Sequence, residues 1–275
     1  MNKGNWWGTA KSRYRSAEVL DSRVSHLFSI AASDVPSLHV DRAVVKYVLP
    51  SRDPRFDEVA YTRQYQDSVG PQLFAVHNVH EAVELVLECG VSSLDSPLFL
   101  QHRLNTPERV LNAAKIIALL LKKVEDNGHV HGDISADNVL VFRRHNGLYL
   151  RLSDFEFTTT RENYERMLEE TNIVFGKKAY TPPEMYGYKR GEVEPRPDLF
   201  SYGVLLWVLC AHRYPTTYAD TAQQIRYVVS GEYHDKLRNV DRAAPPQLRK
   251  LIPALTERNP DNRPRHFGEV IAALS

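Results

Sequence analysis

Asp133 and Asn138 lie five residues apart in His131-Gly132-Asp133-Ile134-Ser135-Ala136-Asp137-Asn138, and Asp154 follows after a short hairpin. A carboxylate that can orient a hydroxyl nucleophile, set beside two hard-oxygen groups that suit a divalent cation, is the equipment of phosphoryl transfer. Any one of these side chains would be equally at home in a turn or a helix cap. Their order and spacing carry the signal. Lys46 is a fourth candidate. Alone on the apolar run Ala43-Val44-Val45-Lys46-Tyr47-Val48-Leu49 it reads either as a surface lysine with a buried stem or as a cleft cation facing phosphate. Glu58 is the only glutamate between Lys46 and Glu81, so a paired carboxylate has one candidate.

These residues need elements to hold them. The run around Lys46 is β-branched and reads as a strand. A helical pattern from about Arg55 to Gln66 carries Glu58 and ends at Gly70-Pro71. Two more strands fit Leu73–His77 and Ala82–Glu88, with Cys89-Gly90 closing the second and a polar linker following to Pro97. Thr106-Pro107-Glu108 is a helix start, with Val110, Ala114, Ile117, Ala118 and Leu121 on its buried face. Asn138–Phe142 and Leu148–Leu152 read as strands joined through Asn146-Gly147, a strong hairpin signal. From Thr158 to Lys178 the pattern dissolves into charge and threonine. A central helix, apolar almost all round, is expected at Leu199–Trp207, and further helices at Thr221–Ser230, Pro246–Thr256 and His266–Leu274. Upstream, residues 1–14 read as an arm docking through Trp6 and Trp7. Ser16–Ala31 reads as a helix capped by Ser16, with Leu20, Val24, Leu27 and Phe28 on one face.

Composition narrows the classes. The 275 residues are 43% hydrophobic and 25% charged, which excludes a disordered or fibrous chain. A net charge of +1 gives no electrostatic case for nucleic acid as the main partner. No apolar run approaches the ~20 residues of a membrane-spanning helix, and the opening residues lack the plan of a signal peptide. His77, His80, His129 and His131 have no spacing that suggests a metal site, and His131 reads as a packed loop residue. The two cysteines, Cys89 and Cys210, make no disulfide framework and are expected as free thiols.

Taken in series, the motifs resemble those of eukaryotic-type protein kinases. His-x-Asp-x-x-x-x-Asn followed by Asp154-Phe155 is similar to the catalytic and metal-binding loops. Ala43-Val44-Val45-Lys46 resembles the lysine strand, and Pro182-Pro183-Glu184 the end of the activation segment. Asp198 in Asp198-Leu199-Phe200-Ser201-Tyr202-Gly203 resembles the helix aspartate that braces the catalytic loop, and Arg263 sits where the partner of Glu184 belongs. The resemblance covers about residues 42–275. It implies an α+β, bilobal fold: a small antiparallel β lobe at 42–90 and a larger helical lobe at 91–275, with 1–41 as an arm and helical segment. It places Cys89 at the hinge and Cys210 in a core helix of the large lobe. It implies ATP and Mg2+ as cofactors, Lys46 and Glu58 positioning phosphates, Asn138 and Asp154 holding the metal, and Asp133 as base.

The departures bear on activity. There is no glycine from Thr9 to Val69, so the glycine-rich loop that covers phosphates is missing. Glu156 follows Asp154-Phe155 in place of glycine, and Gly132 replaces the arginine that clamps a phosphorylated activation segment. Ser135 stands where a lysine usually steadies the transferring phosphate, and Lys177 follows Gly176 where a threonine is usual. A lysine, two aspartates and an asparagine without a glycine loop resemble the With-No-Gly-loop kinases and pseudokinases secreted by apicomplexan parasites, relatives of the rhoptry kinases. That resemblance implies secretion to dense granules, the parasitophorous vacuole or the cyst wall, and substrates or scaffold partners among membrane-associated vacuolar proteins. Three functions stay open on the sequence: a serine/threonine kinase, a pseudokinase scaffold, and a kinase-fold enzyme that phosphorylates a small molecule or performs another transfer.

Overall fold

The computed structural model describes residues 6–20, 27–31, 34, 41–145, 147–170, 174–188, 196–215 and 220–275. The chain opens with helix α1 (Trp6–Arg13), followed by strands β1 (Glu18–Val19), β2 (Leu27–Ala31) and β3 (Arg42–Val48). Helix α2 (Glu58–Tyr65) then leads to β4 (Leu73–Val79) and β5 (Ala82–Glu88). These five strands form one antiparallel sheet in the order β1-β2-β3-β5-β4. Alternation explains the register. Val45 and Tyr47 of β3 face Phe28 and Ile30 of β2 and Val86 of β5 in one buried cluster, while Val44, Leu85 and Leu87 belong to a second cluster on the other face.

Among the described residues of Ser16–Ala31 the expected helix is not formed; strands at Glu18–Val19 and Leu27–Ala31 stand there instead. Leu27–Ala31 pairs along β3, Leu27 opposite Lys46 and Phe28 opposite Val45. Apolar spacing at Leu20, Val24, Leu27 and Phe28 mimics a helical stripe, but five consecutive residues of β2 gain more by filling the sheet edge. Ser16 is accordingly no helix cap. Its hydroxyl hydrogen-bonds Asp34 and accepts the Ala31 amide at 2.7 Å. Residues 6–20 and 27–31 thus pack into the small lobe, and its boundary at 42 is corrected. The turn between β1 and β2, where a glycine-rich loop would sit, lies outside the described residues.

The arm is a helix. Trp6 stacks on Tyr47 at 5.1 Å, as its aromatic character suggested, and Glu84 of β5 anchors the helix end. Buried Glu84 accepts from Arg13 Nε at 2.8 Å, Arg13 Nη2 at 3.0 Å and the Tyr14 hydroxyl at 2.7 Å.

After β6 (Ser92–Ser93) and α3 (Pro97–Arg103), the large lobe is built on α4 (Pro107–Asp126). The Thr106 hydroxyl caps α4 by accepting the Arg109 amide, and Val110, Ala114, Ile117, Ala118 and Leu121 form the buried face that their spacing predicts. Next come β7 (His129–Val130) and the hairpin β8 (Val139–Arg144) with β9 (Gly147–Leu152), in register from Val139–Leu152 to Arg144–Gly147. Strand β10 (Thr159–Thr160) pairs back on β7, and α5 (Arg161–Glu170) follows. Helix α6 (Pro197–Ala211) is buried on nearly every side, then α7 (Thr221–Ser230), α8 (Glu232–Arg238), α9 (Pro246–Leu255) and α10 (Phe267–Leu274) close around it. The small antiparallel β lobe and the larger helical lobe are those the motifs implied. Both cysteines are free, Cys89 just past β5 and Cys210 in α6. Among the described residues no helix is long and apolar enough to cross a membrane.

Glu184 and Arg263 meet as their motifs implied, joining the short helical turn Pro183–Tyr186 to the connection between α9 and α10. Arg263 donates from Nη1 to Oε1 at 2.6 Å and from Nη2 to Oε2 at 2.9 Å, and both side chains are buried. Breaking such a pair strands a charge in the interior, at a cost of about 3–5 kcal/mol. Arg263→Met is therefore expected to lower unfolding free energy by about that amount in denaturant titration, and adding Glu184→Leu to recover part of the loss.

Candidate active site

Lys46 is the first fixed point. Its Nζ donates to Glu58 Oε1 and, at 2.9 Å, to Asp154 Oδ1. Three elements meet there: β3 carries the lysine, α2 the glutamate, and the loop after β9 the aspartate. Asp57 caps α2 by accepting the Ala60 amide at 2.9 Å, which starts the helix at Glu58 and fixes where that carboxylate points. Burial opposes a charge on Lys46, but the carboxylates of Asp154 and Glu58 outweigh it and raise the lysine pKa. Burial pushes the Asp154 pKa up and Lys46 pulls it down further, so Asp154 stays ionised. Lys46 is therefore not a surface lysine: its side chain is largely buried against Glu58 and Asp154.

Asp154 adopts a φ of +66°, a conformation few non-glycine residues take. Phe155 beside it is buried, stacks on Tyr65 of α2 at 5.4 Å and contacts His131 at 5.2 Å. Helix α2 is thereby keyed to the loop that carries Asp154. His131 is the packed loop residue its sequence suggested, fully buried, with its pKa lowered by desolvation.

The second fixed point is the segment from His131 to Asn138. Asp198, in the first turn of α6, accepts the His131 amide at 2.7 Å and the Gly132 amide at 3.0 Å. Asn138 Nδ2 donates to the Asp133 carbonyl at 2.8 Å and to Asp133 Oδ2 at 2.7 Å. The Ser153 amide then donates to the Asn138 carbonyl at 2.9 Å, fixing the spacing between the Asn138 and Asp154 loops. Asp133 is buried, which raises its pKa, while the Lys177 charge pulls the other way. Glu156 sits on the exposed side of its turn. Partial burial and then the Asp154 charge raise its pKa, so its carboxylate lies within electrostatic reach of the proposed metal ligand.

Sequence reasoning set Lys177 aside as a departure, and the structure puts it in the site. Its Nζ reaches Ser135 Oγ at 3.0 Å, Asp137 Oδ2 at 2.9 Å, Asn138 Oδ1 at 3.2 Å and Asp133 Oδ2 at 3.4 Å. The signal was available: a lysine missing at Ser135 and a lysine gained at Lys177 are complementary changes. Helix α5 was missed too, although Tyr164, Met167 and Leu168 have helical spacing, because the surrounding charge masked it.

Between the lobes lies a cavity of about 560 Å³ lined by Leu20, Leu27, Val44, Lys46, Cys89, Asn138 and Asp154, among others. The lining combines apolar side chains, Leu20, Leu27, Val44 and Leu140, with the cation of Lys46 and the carboxylate of Asp154. Asn138 and Asp154 offer hard oxygens. Among the described residues no group of three or more His, Cys, Asp or Glu side chains makes a metal cage. Magnesium is typically held by one or two protein groups with the remainder from phosphate and water, so this donor set fits it.

A two-lobed molecule with this cleft is a protein kinase domain. A family model for protein tyrosine and serine/threonine kinases matches residues 43–274, and the chain belongs to that family. It is similar to the serine/threonine-protein kinase PknL of Mycobacterium tuberculosis, 30% identical over 145 residues, 53% of this chain and 34% of the relative. It is also similar to the serine/threonine-protein kinase PksC of Streptomyces coelicolor, 32% identical over 154 residues, 55% of this chain and 27% of that protein. A third relative is the CBL-interacting serine/threonine-protein kinase 20 of Arabidopsis thaliana, 30% identical over 138 residues, 50% of this chain and 29% of the relative. The matched part spans about a third or less of these relatives' length.

Gly132 is not a neutral loss of an arginine. Its φ is +81°, and a Cβ there would lie 2.6 Å from the Phe157 carbonyl oxygen. Restoring the family residue by Gly132→Arg is expected to destabilise the protein, by about 1–3 kcal/mol from backbone strain alone. A fall in melting temperature would measure it.

Proposed function

We propose that the protein transfers the γ-phosphoryl group of Mg-ATP to serine or threonine hydroxyls of protein substrates. The observation that carries this reading is the shared ammonium of Lys46, held between Glu58 and Asp154 at the polar end of the cleft. A lysine locked this way is pre-organised to meet phosphate without being repositioned. Bound Mg-ATP would supply the phosphoryl group and the cation that neutralises it. Lys46 would hold the phosphates, with Glu58 fixing its Nζ. Asn138 and Asp154 would hold the metal. Asp133, oriented by Asn138, would accept the proton of the attacking hydroxyl.

A second reading, a scaffold module with weak or no nucleotide binding, is favoured by the lack of glycine from Thr9 to Val69. The same feature supports placing the chain with the With-No-Gly-loop kinases, and on that resemblance we propose secretion and membrane-associated vacuolar proteins as substrates or partners.

Titration with ATP and magnesium, followed by melting temperature, separates the readings. At a hundred times its dissociation constant a ligand adds about 2.7 kcal/mol, a rise of several degrees in a domain this size. Asp154→Ala is expected to abolish the metal-dependent part of the rise. Asp133→Asn is expected to keep the rise and lower phosphate transfer about 10²–10⁴-fold. No metal-dependent shift at millimolar ATP would sink the kinase reading.

A further inference from the structure

Two departures from the family pattern become one feature in space. Ser135, two residues past Asp133, is fully buried and holds the position where the resemblance implies a lysine. Lys177 holds the position where it implies a threonine. The two side chains touch, Nζ to Oγ at 3.0 Å. Cation and hydroxyl have changed places across the boundary between catalytic loop and activation segment, and the charge has stayed in the cleft.

The backbone around Lys177 is pinned as a working position requires. Its amide donates to Asp133 Oδ1 at 3.0 Å, so main chain and side chain both address the same aspartate. Its carbonyl accepts from the Tyr180 amide at 2.8 Å and the Thr181 hydroxyl at 3.1 Å. Gly176, at a φ of +79°, lets the segment pass so close to the loop that a Cβ would stand 3.1 Å from the Gly132 carbonyl. The Tyr180 hydroxyl accepts the Ala136 amide and Ser201 holds the Tyr180 carbonyl, tying the segment to α6. From this base the side chain lines the same cavity as Lys46 and Asp154, with about a third of its surface open.

A bland ion pair would need one carboxylate. Here Nζ bridges Asp133, Asp137, Ser135 and Asn138, the groups that surround the place of transfer. We propose that Lys177, reaching in from the activation segment, neutralises the transferring phosphoryl group in place of the absent lysine at Ser135, whose hydroxyl orients the Lys177 ammonium. The proposal rests on the phosphoryl-transfer reading above. In the step, Asp133 takes the hydroxyl proton as the substrate oxygen bonds to the γ-phosphorus. The bond from that phosphorus to the bridging oxygen breaks, and its electron pair leaves on the nucleoside diphosphate. Lys177 keeps its protons throughout and stabilises charge on the transferred group.

A residue that meets the third phosphate must discriminate ATP from ADP, whereas a structural brace treats both alike. The test is calorimetric binding of Mg-ATP and Mg-ADP to the whole chain, with phosphate transfer measured in parallel, for the wild type, Lys177→Met and the exchange Ser135→Lys with Lys177→Thr. Lys177→Met is expected to weaken Mg-ATP about tenfold, the scale of one charge-assisted contact, to leave Mg-ADP unchanged, and to slow transfer about 10²-fold or more. The exchange variant is expected to recover most of the ATP preference and of the rate. Equal loss of both nucleotides, no change in the ratio, or a folded exchange variant that recovers nothing would each overturn the inference. A wild type that prefers ATP through Lys177 yet phosphorylates no protein would remove the kinase reading alone. If Lys177→Met fails to fold, the exchange variant, which keeps one cation and one hydroxyl, still decides.

Discussion

The structure depends on one buried cation. Lys46 of the sheet is shared by Glu58 of a helix and Asp154 of the other lobe. Removing a lysine from water opposes charge, and two carboxylates at contact distance return several kcal/mol each at an effective dielectric near 20. The raised lysine pKa shows that attraction wins. Because the three groups belong to three elements, none can move without uncovering a charge. That constraint closes the sheet on α2 and closes the small lobe on the loop after β9. Aromatic stacking of Tyr65, Phe155 and His131 runs alongside it, and the Asp198 carboxylate ties the far end of that column to α6. Charge and packing fix the same geometry by independent routes.

A second centre of charge lies on the substrate side, and it is built differently. At Lys46 one cation meets two carboxylates from distant elements. At Lys177 one cation meets oxygens that come almost entirely from a single loop, Asp133 to Asn138. The first arrangement holds lobes together. The second leaves the ammonium partly open beside the cavity, where its four-carbon stem can follow a ligand. The difference in burial separates a cation fixed in place from one that keeps freedom to move.

Much of this was legible in the sequence, and the reasons it stopped are specific. Helix α4 declared itself through Thr106-Pro107 and an apolar face of matching period, and the β8–β9 hairpin through Asn146-Gly147. Lys46, Glu58, Asp133, Asn138 and Asp154 were placed by motif order, and the structure brings them to one cleft. The failures fall where local pattern and tertiary context disagree. Leu20, Val24, Leu27 and Phe28 have a helical period, but Leu27–Ala31 lies beside an open edge of β3, and edge pairing satisfies five backbone positions that a short isolated helix would leave marginal. The contact of Lys177 with Ser135, forty-two residues earlier in the chain, was not placed by motif order. Each departure was visible on its own, but the contact between them is a tertiary fact that spacing along the chain does not state.

The activation segment shows what replaces the lost arginine at Gly132. No cation projects from that position, and its left-handed backbone leaves no room for one against Phe157. Order comes from packing instead. Thr159 and Thr160 pair with Val130 and His129, and the Thr159 hydroxyl donates to the Arg55 carbonyl at 2.9 Å, fastening the segment to the approach to α2. Helix α5 then lays Tyr164, Met167 and Leu168 against Val130, Phe175 and Met185. Phe56, Phe157 and Phe175 form a set of ring contacts at 5.2–5.9 Å that spans the lobes. Burying such rings yields roughly 1.5–3 kcal/mol apiece, comparable to what charge-assisted bonds to a phosphate would supply. An apolar clamp of this kind needs no added charge to close. It also carries Lys177 at its downstream end, so the packing that orders the segment positions the cation.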